Sequence, residues 1–179
     1  MIFRKIDISE KDKLAAMYEA VLVQQEKDEY GPKWTRGIYP CDIDYISHTE
    51  KGEYYGGFEN EKLACAAVLT FSEDDMYKVD TWEKKTSEDK VAVIHLFAIA
   101  PDYRRQGVSK AFLKYLLKEA EKHAETVHLD VLAGNLPASR LYLSVGFRYA
   151  GNIRAYYEDI GDCELELYEY DLENEMHMD

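Results

Sequence analysis

The sequence has few cysteines and no long apolar run, and both scarcities argue against whole classes of protein. Its 179 residues include three cysteines, Cys41, Cys65 and Cys163, which lie far apart and outside any C-x-x-C pair. This pattern argues against a disulfide framework and a thiolate metal site, so we expect no bound metal. Because no apolar stretch resembles a signal-peptide core or a bilayer span, we expect no membrane partner and a cytoplasmic location.

The sequence also lacks the basic excess that nucleic-acid binding requires. Asp and Glu number 35 against 22 Lys and Arg, which gives a formal net charge of −13. Since nucleic-acid phosphates need a basic face, we expect no nucleic-acid partner. The acidic excess favours solubility and is compatible with steering a cationic acceptor such as an amine. No linker-like stretch divides the chain, so residues 1–179 are predicted to form one domain.

The hydrophobic pattern predicts alternating strands and helices. Apolar residues at helical spacing, with Ser9 as the N-cap, predict a first helix over residues 9–27. The other predicted elements are a short strand at 3–7, a helix at 42–50, a hairpin at 53–59 and 63–71, a mobile loop or hairpin insertion at 72–90, a buried strand at 91–100, a helix at 108–123, a strand at 126–132, a helix at 137–145 and strands at 147–157 and 163–172. A proline at its first position and a glycine C-cap, Gly146, set the two ends of the helix at 137–145. The order of these elements indicates an α+β (mixed α/β) fold with helices on both faces of the sheet.

One stretch joins an apolar strand to an amphipathic helix through a basic turn, and it reads LFAIAPDYRRQGVSK at residues 96–110. Pro101 ends the strand, and Gly107 lies where the backbone must approach a ligand closely or adopt a positive φ. Backbone N–H groups, a helix N-terminus and arginines then meet at one point, an arrangement suited to holding phosphate. Neither the dinucleotide pattern G-x-G-x-x-G nor the triphosphatase pattern G-x-x-x-x-G-K-[ST] is present.

A second motif, NLPASRLYLSVGF, occupies residues 135–147. The first motif, Arg104-x-x-Gly107-x-Ser109, resembles the acyl-CoA pyrophosphate loop Q/R-x-x-G-x-G/A of the GNAT acetyltransferase superfamily, with serine at its last position. The second is similar to the family segment N-x-x-A-x-x-L-Y-x-x-x-G-F at each defining position. Because both motifs occur in the right order, the chain is identified as a single-domain, bacterial-type member of this superfamily.

This resemblance implies a twisted mixed sheet of about six to seven strands and acetyl-CoA as co-substrate. The residues it assigns to cofactor binding are the strand backbone of Phe97, Ala98 and Ile99, the turn formed by Arg104, Arg105, Gln106, Gly107, Val108, Ser109 and Lys110, and the side chains of Asn135 and Tyr142.

The resemblance also implies a proton donor, Tyr142, near the sulfur of CoA. A phenol has an ordinary pKa near 10, so it is protonated at neutral pH and can donate to a departing thiolate. Tyr142 shares one helix face with Ala138, Leu141 and Val145, so packing in the core is the alternative interpretation.

Two side chains are candidates for the general base that deprotonates the acceptor amine. Asp130 alternates with the apolar residues of its strand, so we expect it to face away from their apolar side. It lies five residues before Asn135, the position of an acidic base in proteins resembling the ribosomal alanine acetyltransferases. His95 is the lone titratable group in its apolar strand and has suitable chemistry for a base acting through water. The alternatives remain open: Asp130 is a solvated strand carboxylate, His95 is a hydrogen-bonded core histidine, or ordered water alone acts as the base.

Trp34, Tyr39 and Tyr156 lie where the family places its acceptor pocket, between the first helices and the last hairpin. Aromatic rings with carboxylates nearby can receive an amine, so we expect a small-molecule primary amine as acceptor. A protein N-terminus and a non-catalytic acyl-CoA-binding module are the alternatives. Rim packing is the other interpretation of these aromatics, and the fold is also compatible with a homodimer.

Overall fold

A computed structural model describes residues 1–73, 75–158 and 160–173. Most of the acidic tail, residues 173–179, for which disorder was predicted, lies outside the described residues. The strands are β1 (Ile2–Lys5), β2 (Tyr54–Glu59), β3 (Lys62–Thr70), β4 (Val91–Ile99), β5 (Thr126–Leu132), β6 (Arg148–Tyr157) and β7 (Gly161–Asp171). The α-helices are α1 (Lys11–Gln25), α2 (Asp42–Glu50), α3 (Val108–Ala120) and α4 (Leu136–Val145).

The seven strands form one mixed sheet in the order β1-β2-β3-β4-β5-β7-β6. Only β4 and β5 pair in parallel, and every other neighbouring pair is antiparallel. The seven described strands and their mixed pairing confirm the α+β (mixed α/β) fold class expected from the sequence. The parallel pair lies at the centre, where a crossover through α3 joins its two strands.

The two faces of the sheet are covered by different elements. Apolar residues of α3 and α4 pack on one face, against residues such as Ala92, Ile94, Val127 and Leu129. On the opposite face, α1 and α2 cover β2 and β3. The other half of that face is covered by residues 72–90, through Tyr77 and Trp82 against Val91 and Val93.

The described residues of this range, 72, 73 and 75–90, which we call the covering segment, differ from the mobile loop or hairpin insertion predicted for 72–90. They contain two short 3-10 turns, Asp75–Tyr77 and Glu88–Lys90. Tyr77 is fully buried and Trp82 is 7% exposed. Two large aromatic side chains can anchor a charged segment because their burial contributes several kcal/mol, about 1.5–3 each.

The first helix also begins differently from the prediction. Asp7, and not Ser9, is the N-capping residue, because its carboxylate accepts hydrogen bonds from the N–H and hydroxyl of Ser9 at 2.9 and 2.6 Å. A 3-10 turn at Ile8–Glu10 precedes α1, and Glu10 completes a capping box with Asp7. The helix itself ends at Gln25, two residues before the predicted end.

Candidate active site

The central feature of the site is a crevice between β4 and β5. These strands pair only through Val91, Ala92 and Val93, opposite Thr126, Val127 and His128. Beyond this point β4 continues to Ile99 along β3, and β5 continues to Leu132 along β7. The two strands therefore separate, and the facing backbone of Phe97, Ala98 and Ile99 has no strand partner on the β5 side.

A β-bulge in β4 lies beside this crevice. The pairing with β3 shifts between Val68↔His95 and Ala66↔Ala98, and Leu96 adopts a positive φ of 52°. The hydroxyl of Tyr18 in α1 donates to the carbonyl of Leu96 at 2.5 Å. The bulge moves Leu96 to the α1 face and Phe97 to the α3 face, which redirects the strand at the edge of the crevice.

The glycine turn brings the N-terminus of α3 to the end of β4. Gly107 precedes the helix with φ of 79°, and Arg105 also has a positive φ of 61°. The first backbone hydrogen bond of the helix is donated by the N–H of Ala111 to the carbonyl of Gly107 at 3.1 Å. The N–H groups of Val108, Ser109 and Lys110 precede it and have no carbonyl partner within the helix, which suits them to an anionic ligand.

The side chains of the turn divide into two groups. The guanidinium of Arg104 is paired with Asp28 at 2.5 Å and lies 3.4 Å from the carbonyl of Ile99. Gln106 donates to the carbonyl of Asp102 at 2.7 Å. Both therefore brace the turn, whereas the exposed Arg105 and Lys110 form no ion pair with the described residues. Cofactor contact by the Arg104 and Gln106 side chains remains a prediction.

The second motif places Asn135 and Tyr142 on α4 across the crevice. Asn135 is the N-cap, and its carbonyl accepts hydrogen bonds from the N–H groups of Ala138 and Ser139 at 3.0 and 3.1 Å. Its half-buried side-chain amide forms no hydrogen bond with the described residues. The glycine predicted to end α4, Gly146, has φ of 114° and confirms that the helix stops there.

Tyr142 lies inside the crevice against β4. Its ring is 6% exposed and contacts Phe97, Phe147 and Tyr168, with centroids 6.4, 5.8 and 5.7 Å away. Among the described residues its hydroxyl has no hydrogen-bond partner. Burial, followed by the charge of Asp130, raises the pKa of Tyr142 well above its ordinary value of 10. Packing in the core and a proton-donor role are therefore both compatible with its position.

Asp130 and His95 lie on the same face of the sheet, on opposite sides of the crevice. Each is two residues beyond the last parallel pair, Val93↔His128. The hydroxyl of Tyr77 donates a hydrogen bond to Asp130, and the rings of Tyr77 and His95 meet in a T-shaped arrangement with centroids 6.2 Å apart. As predicted, Asp130 faces away from Val127, Leu129 and Val131, which pack on the α3 face.

The predicted acceptor aromatics are only partly brought together. The rings of Trp34 and Tyr39 contact each other with centroids 6.3 Å apart, and the centroids of Trp34 and Tyr18 are 5.7 Å apart. Tyr156 is 72% exposed on the edge strand β6, and no described contact joins it to the other two. A nearby groove of about 310 Å³ links the α1–α2 connection to the last hairpin; it is lined by Lys33, Leu132, Ala133, Ile160, Asp162, Cys163 and Glu164.

Sequence reasoning missed two groups of polar residues around the site. Tyr77 was part of a segment predicted as a mobile loop or insertion, although an aromatic residue within a charged run is a signal for burial. Glu166 accepts hydrogen bonds from Ser139 and Tyr168, both at 2.7 Å. Burial acts to raise the pKa of Glu166, but these hydrogen bonds outweigh it and lower the pKa. Glu166 is therefore a carboxylate that ties α4 to β7.

Comparisons with known proteins agree with this geometry. The model of the acetyltransferase (GNAT) family matches residues 19–147, a range that contains both motifs and both strands of the crevice. The chain belongs to this family. It is 34% identical over 113 residues to the [ribosomal protein bS18]-alanine N-acetyltransferase of Escherichia coli (strain K12), a match that covers 61% of this chain and 66% of that relative, just under two thirds.

Solved structures show the same fold. A GNAT family acetyltransferase from Streptococcus agalactiae 2603 aligns with a TM-score of 0.79 at 19% identity, over 95% of this chain and 94% of that one. A putative acetyltransferase from Salmonella typhimurium, solved with its cofactor acetyl-CoA, aligns with a TM-score of 0.69 at 15% identity, over 96% and 94% of the two chains. The GNAT-like sheet predicted from the two motifs is thereby confirmed.

Metal-binding clusters and membrane-spanning helices are both absent from the described part of the chain. No three His, Cys, Asp or Glu side chains there lie close enough together to hold a metal ion. None of the described helices has the length and apolar character needed to cross a bilayer.

The glycine turn predicts a selective loss of acetyl-CoA affinity. A Cβ added at Gly107 would meet no protein atom within 4 Å, so Gly107→Ala adds no clash within the protein. It adds backbone strain of about 1–2 kcal/mol at this positive φ and a methyl group beside the N–H groups that are predicted to bind phosphate. We expect the Kd for acetyl-CoA, measured by calorimetry, to rise about tenfold or more, since tenfold corresponds to about 1.4 kcal/mol.

Gly161→Ala is the matched control for this experiment. Gly161 has φ of 72° and equally open space around a new Cβ, but it lies in the last hairpin. It should lose a similar amount of stability and keep its acetyl-CoA affinity. Equal losses of affinity in the two variants would show that strain alone, and not the phosphate-binding turn, determines the effect.

Proposed function

We propose that this protein transfers an acetyl group from acetyl-CoA directly to a primary amine. The observation that carries this proposal is the crevice between β4 and β5, closed at one end by three parallel pairs and open between the N-terminus of α3 and Tyr142. Binding of acetyl-CoA in this crevice is supported by the unpartnered N–H groups at the start of α3, by the open space at Gly107 and by the unpaired backbone of β4. Family membership and the two motifs support the same conclusion.

The described side chains supply two proton-handling groups for this reaction. Bound acetyl-CoA supplies the thioester carbonyl that the amine attacks. As the new C–N bond forms and the C–S bond breaks, the Tyr142 hydroxyl donates its proton to the departing thiolate. Asp130 accepts the proton that the amine loses, directly or through water, with His95 as the alternative base on the same face. Atoms and charges balance when Asp130 releases its proton to solvent and Tyr142 regains one from solvent.

Backbone groups of β4 would contribute positioning and polarisation. The strand from Phe97 to Ile99 is unpaired on the crevice side and can hydrogen-bond the pantetheine arm and the carbonyl. Holding donor and acceptor in one orientation supplies much of the rate enhancement in such direct transfers. No cysteine lies in either motif, so the proposal needs no acyl-enzyme.

The acceptor we favour is the α-amino group of a protein or peptide N-terminus. The relative from Escherichia coli is named for the acetylation of a ribosomal protein alanine, and Asp130 matches the acidic base expected for such proteins. A small cationic amine, the acceptor expected from the sequence, is the second candidate. It is favoured by the Trp34–Tyr39 contact and by Asp162 and Glu164 in the neighbouring groove.

Thiol release from acetyl-CoA should distinguish these candidates. Wild-type protein is mixed with acetyl-CoA and either peptides with N-terminal alanine, the same peptides with a blocked N-terminus, or a panel of small amines and polyamines. We expect release that depends on the free α-amine of the peptides. Release with small amines alone would favour the second candidate. Tight acetyl-CoA binding without any acceptor-dependent release would favour a non-catalytic acyl-CoA-binding module.

A further inference from the structure

Tyr77 connects the covering segment to both candidate bases. It belongs to the 3-10 turn Asp75–Tyr77, which lies outside both sequence motifs. Its hydroxyl donates to Asp130, 53 positions later in the chain, and its ring forms a T-shaped contact with the ring of His95. One side chain thus contacts one group on each side of the crevice.

The burial of Tyr77 limits what it can do. The side chain is 0% exposed, so a substrate in the crevice cannot reach its hydroxyl in this conformation. A hydroxyl that donates to a carboxylate fixes the orientation of that carboxylate and favours its ionised form. Tyr77 is therefore suited to holding Asp130 in place and is not suited to direct contact with the acceptor.

The covering segment holds Tyr77 by several independent contacts. The indole N–H of Trp82 donates to the carbonyl of Tyr77 at 2.7 Å, and their rings stack with centroids 6.3 Å apart. Trp82 stacks in turn on His128 of β5 at 3.7 Å. Because His128 and Asp130 are on the same strand and face, the segment is anchored two residues from the carboxylate that Tyr77 contacts.

We propose that Tyr77 is a positioning residue that orients the Asp130 carboxylate as the general base of this enzyme. The inference rests on the proposed function, because it assigns Asp130, and not His95 or water alone, as the base. It also gives the covering segment a role: the segment carries to the active site a hydroxyl that neither of the two motifs supplies.

Among the described residues, titratable groups from three elements lie near Asp130. They include Tyr77 from the covering segment, His95 from β4 and Tyr142 from α4, whose pKa responds to the charge of Asp130. The residue opposite Asp130 on β7 is Leu167, which carries no charge. Of these groups, Tyr77 donates directly to the carboxylate, so removing its hydroxyl should alter the titration of Asp130.

The test uses Tyr77→Phe, which keeps the ring in its apolar surroundings. Carboxyl ¹³C NMR of Asp130 across pH, in protein without ligand, should show a higher titration midpoint in the variant. With acetyl-CoA and an N-terminal alanine peptide, kcat should fall about tenfold, and the acid limb of kcat/KM should move to higher pH. KM for acetyl-CoA should not change.

Tyr55→Phe is the matched control. Tyr55 is 4% exposed in the core on the α3 face, and its hydroxyl forms no hydrogen bond with the described residues. The control should leave the Asp130 midpoint and the pH profile as in the wild type. An unchanged midpoint in Tyr77→Phe, or a loss of activity with an unchanged pH profile, would overturn the positioning role. An inactive wild type with a raised midpoint in Tyr77→Phe would contradict the proposed function and support the contact.

Discussion

Replacing Tyr142 with phenylalanine is expected to lower kcat for acetyl transfer by about 10²- to 10⁴-fold, the usual contribution of a general acid. The substitution removes only the hydroxyl, while the ring keeps its contacts with Phe97, Phe147 and Tyr168. Because the hydroxyl has no hydrogen-bond partner among the described residues, its loss leaves no other group unpaired. KM and Kd for acetyl-CoA should therefore change little.

The raised pKa of Tyr142 leads to a second expectation, which concerns the pH dependence of activity. Burial, followed by the Asp130 charge and then by Tyr168, raises that pKa above the ordinary value of 10. The hydroxyl therefore remains protonated through the neutral and mildly basic range, and wild-type activity should show no basic limb from its ionisation. Tyr55→Phe, in the same core, should keep wild-type kcat. Equal losses of kcat and acetyl-CoA affinity in Tyr142→Phe would reject the proton-donor role.

Replacing His128 with glutamine is expected to reduce the free energy of unfolding by about 3–5 kcal/mol, the usual cost of removing one partner from a buried ion pair. His128 is 2% exposed and Glu169 is 1% exposed. The Nδ1 atom of His128 contacts Glu73 at hydrogen-bond distance, and Nε2 lies 3.6 Å from Glu169. Glutamine cannot carry the positive charge that compensates these two carboxylates.

The stability difference between wild type and His128→Gln should depend on pH. Burial acts to lower the pKa of His128, but the two carboxylates outweigh it and raise the pKa above its ordinary 6.5. Its contribution to stability is therefore complete below about 6.5 and is lost as pH rises through the folded value. Burial acts to raise the pKa of Glu169, but His128 and the backbone N–H of Lys84 lower it below 4.5. The contribution of Glu169 to stability is present above pH 4.5 and is lost as the pH falls through its pKa in the folded protein.

Urea unfolding at several pH values measures this difference directly. It should be largest between about pH 4.5 and 6.5 and should shrink at higher pH. The double variant Glu73→Gln/His128→Gln provides the control, because removing one carboxylate as well should recover part of the lost stability. A difference below about 0.5 kcal/mol at every pH, typical of a surface substitution, would show that the cluster does not stabilise the fold.

The parts of the site that follow local backbone rules could be predicted from the sequence. A strand that ends at Pro101, a glycine before a helix and an N-terminal proline in α4 each specify a backbone conformation within a few residues. Together with the apolar pattern, these features predicted β5 with its exact bounds and both motif helices to within three residues at either end. They also placed Asp130 on the correct face, since strand alternation has a period of two.

The parts that depend on contacts between distant residues could not be predicted. The partners of Tyr77 and Glu73 are Asp130 and His128, which lie 53 and 55 positions away. Composition indicated a mobile loop or hairpin insertion at 72–90, because most of its residues are polar or charged. Burial of two aromatic rings and pairing of its charges with β5 and β7 outweighed that composition. Arg104 is similar, since its ion pair with Asp28 joins residues 76 positions apart.

The central claim is that an acetyl group moves from acetyl-CoA to the α-amino group of a peptide N-terminus in the crevice between β4 and β5. Its most direct test is mass spectrometry of an N-terminal alanine peptide after incubation with acetyl-CoA and either wild-type protein or Tyr142→Phe. The account predicts a peptide acetylated on its α-amino group by the wild type and much less product with the variant. Unmodified peptide, together with acetyl-CoA bound tightly by both proteins, would contradict the claim.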